Sequence, residues 1–186
     1  MRRIFNIFIL IISLSISCIA TADGDQETVF RVREGFIYNF LKFVKWPDTH
    51  SFYKAGKANI CIVGDHPFAE HFISRRIGHT QDIAINVREP ASYEAIPSCH
   101  ILFVGKTVDD QIAAILTYAQ HHPVLTISEI ASFADHGGII EIATVDKQVG
   151  LFSKDKLNLR INLKTATTDG LAIDARLLQI AQEIVK

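Results

Sequence analysis

Residues 58–64 read Ala58-Asn59-Ile60-Cys61-Ile62-Val63-Gly64, and residues 99–105 read Cys99-His100-Ile101-Leu102-Phe103-Val104-Gly105. Both runs are short, almost continuously apolar and closed by glycine. A strand with one wet face alternates apolar and polar residues, whereas one buried on both faces does not. These two stretches therefore read as central strands of a covered, mostly parallel sheet. Working outward, Ile83, Ile85 and Val87 alternate with polar or small neighbours as another strand, and residues 124–127 and 139–144 supply two more. Helical patterns separate them. Asp65-His66-Pro67 opens one, with proline at an early position, and Thr107 is placed to cap a second over residues 108–120. That second helix would turn Ile112, Ile115, Leu116 and Ala119 inward. Ser128 is placed to cap a short helix ended by Gly137-Gly138.

Residues 26–46 carry Val29, Val32, Phe36, Phe40 and Val44 at helical spacing, a long amphipathic helix that Pro47 stops. Residues 149–152 and 157–163 read as late strands, and residues 171–185 as a closing helix with Ile173, Leu177, Ile180, Ala181 and Ile184 inward. Strands alternating with helices predict a single-domain α/β fold. Its sheet is mostly parallel and doubly wound, Rossmann or flavodoxin-like, with an antiparallel edge and helices on both faces. In such sheets the first strand often lies beside the third. Cys61 then falls within disulfide reach of Cys99.

The first 22 residues set the compartment. Arg2 and Arg3 precede an apolar run over residues 4–19, and Ala20-Thr21-Ala22 ends it with small residues where a signal peptidase reads. Cleavage before Asp23 is expected; an uncleaved anchor and a lipoprotein at Cys18 are the alternatives. The leader holds two of the 19 Lys and Arg residues and none of the 20 Asp and Glu, so the remainder is acidic by three charges. With no basic block, nucleic-acid binding is not expected. Two cysteines remain after the leader, Cys61 and Cys99, and in an exported chain an even count reads as a disulfide.

Catalytic patterns are lacking. There is no Gly-rich phosphate loop, no G-x-S-x-G elbow and no H-E-x-x-H. The eight histidines are scattered: His121 and His122 are adjacent, and His66 and His71 are five apart. No enzyme activity, metal or cofactor is expected, and Arg75, Arg76 and Arg88 read as solvated charge rather than an anion site. Two non-catalytic sites are legible. Tyr38, Lys42, Lys45 and Trp46 would form an exposed aromatic and basic edge beside the core-facing Phe36, Phe40 and Phe43. Such an edge suits a protein partner. Asp65, His66 and Ser128 would gather at the carboxyl ends of the strands, where a small ligand would bind.

Several blocks resemble the YfiR/HmsC-like periplasmic proteins. They are G-F-I-Y-N-F-L-K-F-V-K-W-P (residues 35–47), I-C-I-V-G-D-H-P-F (60–68), C-H-I-L-F-V (99–104), L-T-I-S-E-I-A-S-F-A-D-H-G-G-I-I (125–140), L-R-I-N-L (159–163) and G-L-A-I-D-A-R-L-L-Q-I-A (170–181). The resemblance implies a periplasmic regulator, often a dimer, that binds the periplasmic region of a membrane-bound diguanylate cyclase and represses it. Cyclic-di-GMP and biofilm formation would fall in consequence. It also implies sequestration by an outer-membrane, peptidoglycan-associated lipoprotein. The best-known member carries two disulfides, whereas this chain has cysteines for one. A periplasmic small-molecule sensor acting on another membrane signalling protein is the alternative.

Overall fold

The structure, a computed structural model, describes residues 39–64, 79–80, 83–142 and 158–185. All of them lie in one compact unit, Phe36–Lys186. In chain order the elements are β1 (Val44–Lys45), α1 (Phe52–Ala55), β2 (Lys57–Val63), β3 (His79–Thr80), β4 (Ile83–Arg88), β5 (Ile101–Val104) and α2 (Ile112–Ala119). There follow β6 (Leu125–Ser128), β7 (Ile140–Ile142), β8 (Leu159–Asn162), α3 (Leu163–Thr168), β9 (Ala172–Ile173), α4 (Ala175–Ile180) and β10 (Glu183–Val185). The signal peptide, Gly35, the helix opened at Asp65 and the strand over residues 149–152 lie outside the described residues.

Eight strands form one sheet in the order β10-β8-β7-β6-β5-β2-β4-β3, and β1 pairs separately with β9. From β4 through β2, β5 and β6 to β7 every pairing is parallel. The first of these strands, β2, lies between the second and third, which is the flavodoxin-like order. The antiparallel pairing falls where β7 meets β8 and where β4 meets β3. Ile60 stands opposite Ile101 and Cys61 opposite Leu102. Successive residues point to opposite faces, yet Ile60, Cys61, Ile62, Ile101, Leu102 and Phe103 are all buried, so both faces of the central strands are covered. Each such side chain contributes about 1.5–3 kcal/mol by leaving water. On the Cys61 face, Leu102 and Val104 belong to one cluster with Ile112, Ile115 and Leu116 of α2 and with Phe133.

Four boundaries differ from the sequence expectation. Helical geometry covers residues 39–43 and stops there, because Val44 and Lys45 pair with Ile173 and Ala172. Thr107 lies inside a 3-10 turn, Lys106–Gln111, whose N-cap is Gly105, and the α-helix starts only at Ile112, after a kink at Val108. Residues 130–137 form turns rather than a helix, although the Ser128 hydroxyl does accept from the Ile130 amide at 3.0 Å. The closing helix shortens to α4, with Ala172–Ile173 before it in β9 and Glu183–Val185 after it in β10. Ile184 sits opposite Ile161 of β8 rather than on a helix face, and Ile180, expected inward, is 47% exposed. Leu163, expected at a strand end, opens α3, which Asn162 caps by accepting from the Thr165 amide.

Candidate functional site

At the carboxyl ends of β2 and β5 lies the switch point where ligands bind in sheets of this order. The Gly105 amide donates to the Val63 carbonyl at 2.8 Å, so the two strands stay bonded to their ends. Gly64 follows with φ +84°, and a Cβ there would come 2.9 Å from Thr107 Oγ1 and 3.0 Å from Val108 Cγ2. Only glycine combines that backbone angle with so close an approach. Asp65 and His66 lie outside the described residues. Ser128, at the end of β6, is fully buried; its hydroxyl donates to the Val104 carbonyl at 2.7 Å as well as capping Ile130. That side chain ties β5 to the loop after β6, and both its bonds are internal.

The loop between β6 and β7 is fastened by a charged network. Arg160 of β8 stands opposite Glu141 of β7 on one side and Glu183 of β10 on the other. Its Nη1 donates to Glu141 Oε2 at 2.8 Å and its Nε to Glu183 Oε2 at 2.7 Å. Its two terminal nitrogens grip Asp135 at 2.9 Å each. Glu141 also accepts from the amides of Ser132 and Ala134, at 3.2 and 3.1 Å. Asn162 donates to the Ala134 carbonyl at 2.9 Å, and the Ile139 amide donates to Thr126 Oγ1 at the same distance. Hydrogen bonds from Arg160 hold the Asp135 and Glu183 carboxyls below their usual range. Both therefore stay ionised through neutral pH, which suits a clamp and not an acid–base catalyst. Phe133 packs beneath, fully buried, and a Cβ on Gly138 would come 2.2 Å from its Cε1 and 2.3 Å from its Cδ1.

The expected partner edge is divided. Lys42 is exposed on the helical residues 39–43, and Lys45 is exposed on β1. Trp46 is only 9% exposed: its indole meets the Phe52 ring edge-on at 5.1 Å and the His100 ring at 6.5 Å. It is core rather than edge, because it follows β1 into the packing beneath α1. Tyr38 lies outside the described residues. In place of Trp46, the surface beside Lys42 and Lys45 presents Phe43, with the Arg176 guanidinium 5.2 Å from its ring centre. The Asp174 amide donates to the Phe43 carbonyl at 2.8 Å, which brings α4 against β1. Hydrogen bonds from Arg176 are the main cause that pulls the Asp174 carboxyl down to about 2. Arg176 pairs with that carboxylate and the charge of Lys45 also lowers it.

Cys61 and Cys99 are bonded, with Cα atoms 5.8 Å apart. Among the described residues no group of three or more His, Cys, Asp or Glu is arranged to hold a metal ion. A shallow, open depression on α3, lined by Leu163, Lys164, Thr167 and Thr168, brings together no acid–base pair. Among the described residues no helix is long and apolar enough to cross a membrane. Sequence reasoning missed the Arg160 clamp, although an arginine between the buried Leu159 and Ile161 signals a strand charge in need of partners. It also missed Phe43 with Arg176, which the β1–β9 pairing brings together from opposite ends of the chain. The sequence profile of the YfiR/HmsC-like family matches residues 30–182. No curated protein matches the chain.

Proposed function

The chain belongs to the YfiR/HmsC-like family, and from that premise we propose that it is a periplasmic regulator of a membrane-bound diguanylate cyclase. It represses the cyclase through the cyclase's periplasmic region. The observation that carries this reading is the reach of the family match, which runs from before the first described helix to the residue before β10. The Cys61–Cys99 bond supports an oxidising compartment, in keeping with a leader cleaved before Asp23. Repression is a population shift: a protein that binds the inactive receptor more tightly than the active one moves the equilibrium by that difference and no more. The partner surface takes in Tyr38 and Lys42, extends to Lys45, Phe43 and Arg176, and is shaped from beneath by Trp46. A homodimer, and capture by an outer-membrane, peptidoglycan-associated lipoprotein, complete the proposed cycle.

The test uses spheroplasts of a strain lacking the gene. Adding the purified protein outside should lower internal cyclic-di-GMP, and an unchanged level in spheroplasts that contain the cyclase refutes the reading. A second reading, a small-molecule sensor built on Asp65, His66 and Ser128, draws on the switch point between β2 and β5. A thermal-shift screen of amino acids and nucleotides tests it. Stabilisation that rises with ligand concentration favours the sensor, and a flat screen rejects it.

A further inference from the structure

His100 stands where β5 begins, and its main chain joins both neighbouring strands. Its amide donates to the Asn59 carbonyl at 2.8 Å, and its carbonyl accepts from the Leu125 amide at 2.9 Å. Its side chain completes the junction: the Asn59 amide donates to His100 Nδ1 at 2.9 Å. An imidazole nitrogen thus takes the place of a ladder carbonyl at the start of the β2–β5 pairing. That role requires a lone pair on Nδ1, so the neutral ring carries its proton on Nε2. A second proton would set one N–H against another.

The surroundings leave such a proton nowhere to go. His100 is 8% exposed, with the Phe52 ring edge-on at 5.5 Å and Trp46 beyond. Among the described residues, the titratable group that faces it is His50, whose ring lies 4.7 Å away and whose Nε2 donates to the Cys99 carbonyl at 3.2 Å. Asp48, on the same turn as His50, pairs at the surface with Lys54 of α1, 3.8 Å away. Lys57, on β2, is exposed. Burial first, and the charge on His50 second, push His100 down to about 4. Trp46 is held by ring packing alone, because its buried Nε1 has no hydrogen-bond partner among the described residues.

We propose that His100 is an acid-sensitive latch: its protonation breaks the bond to the Asn59 amide and opens the packing of Trp46 and Phe52 at the β2–β5 junction. Its regulatory output, weaker hold on the cyclase in acid, rests on the function proposed above. Trp46, which packs on His100, directly follows Lys45 in the chain, so opening the latch disturbs the segment that leads from the surface at Lys45 into the core.

The chain has a single tryptophan, so intrinsic fluorescence of the full mature protein reports this site directly. In wild type, emission should shift to the red and acrylamide quenching should rise on acidification from pH 7, before far-UV circular dichroism changes. His100→Gln, whose amide oxygen accepts from Asn59 at any pH, should move the midpoint down by at least one pH unit. His50→Gln, which keeps His100 but removes its charged neighbour, should move it up. An unmoved midpoint in either variant, or fluorescence and dichroism that change together in wild type, overturns the latch. If His100→Gln does not fold, the upward shift in His50→Gln decides alone. Spheroplast assays at pH 7 and pH 4 separate the two claims. No repression at pH 7 refutes the cyclase reading while the fluorescence result still judges the latch. Repression equal at both pH values in the presence of a wild-type fluorescence transition refutes the latch as a regulator.

Discussion

Removing the Cys61–Cys99 bond by the double substitution Cys61→Ala/Cys99→Ala should cost much of the domain's stability without changing its fold. The bond closes a loop of 39 residues, both ends counted, and the chain-entropy model gives about 4 kcal/mol for that length. A domain of this size has about 5–15 kcal/mol in total. The effect acts mainly on the unfolded chain, because in the native state β2 and β5 are already joined by their own ladder and flanked by α2. Urea unfolding followed by Trp46 fluorescence is the assay. With a slope of roughly 2 kcal/mol per molar, the midpoint should fall by about 2 M at unchanged slope. Wild type unfolded in the presence of dithiothreitol should match the variant. A difference under about 1 kcal/mol would refute the reasoning, as would two free thiols titrated in the denatured, unreduced wild type.

Gly138→Ala drives a methyl group against the edge of the Phe133 ring, 2.2 Å from Cε1, so about 1–3 kcal/mol should be lost. Calorimetry should show Tm lowered by several degrees, and an unchanged Tm rejects the close approach. Arg160→Met leaves Glu141, 6% exposed, without its cation, and about 3 kcal/mol or more should be lost. Glu183→Gln, at the exposed end of the clamp, should do less; the reverse order in urea unfolding contradicts the hierarchy. The unfolded His100 imidazole binds its proton near 6.5 and the folded one near 4. Between those values the unfolded state holds more protons, so stability is full above 6.5 and falls as pH drops, by up to about 3 kcal/mol. His100→Gln should flatten that part of the stability profile, and a profile identical to wild type contradicts it. Lys42→Glu/Lys45→Glu changes two exposed residues, so Tm should hold while repression in cells falls. Full repression places the partner elsewhere.

The central sheet was legible because burial on both faces leaves a plain signature. Residues 58–64 and 99–105 lack alternation, and both became inner strands with Cys61 and Cys99 in reach of each other. The edges were not legible, because there the same residues satisfy two periodicities. Residues 171–185 match a helix, yet Ile173 pairs with Val44, and Ile184 with Ile161. The Gln182 amide bonds to the Leu159 carbonyl at 2.8 Å, so strand partners supplied by distant segments overrule local preference. Thr107 looked like a helix cap, but the close packing of Gly64 against it draws that residue into a 3-10 turn. On the functional side, Lys42 was legible as a surface charge. Trp46 was not legible as core, since its burial depends on Phe52 and His100, which no local pattern links to it. Arg160 needed three carboxylates from two strands and a loop, a relation visible only once the register is known.

The most direct test of the central claim is intracellular cyclic-di-GMP in a strain with the gene deleted, then restored with and without the first 22 residues. Repression from the periplasm predicts a rise on deletion, reversal by the version carrying the leader, and no reversal by the version lacking it. An unchanged level on deletion, in cells that make the protein and the cyclase, would contradict the account, as would full reversal by the leaderless form.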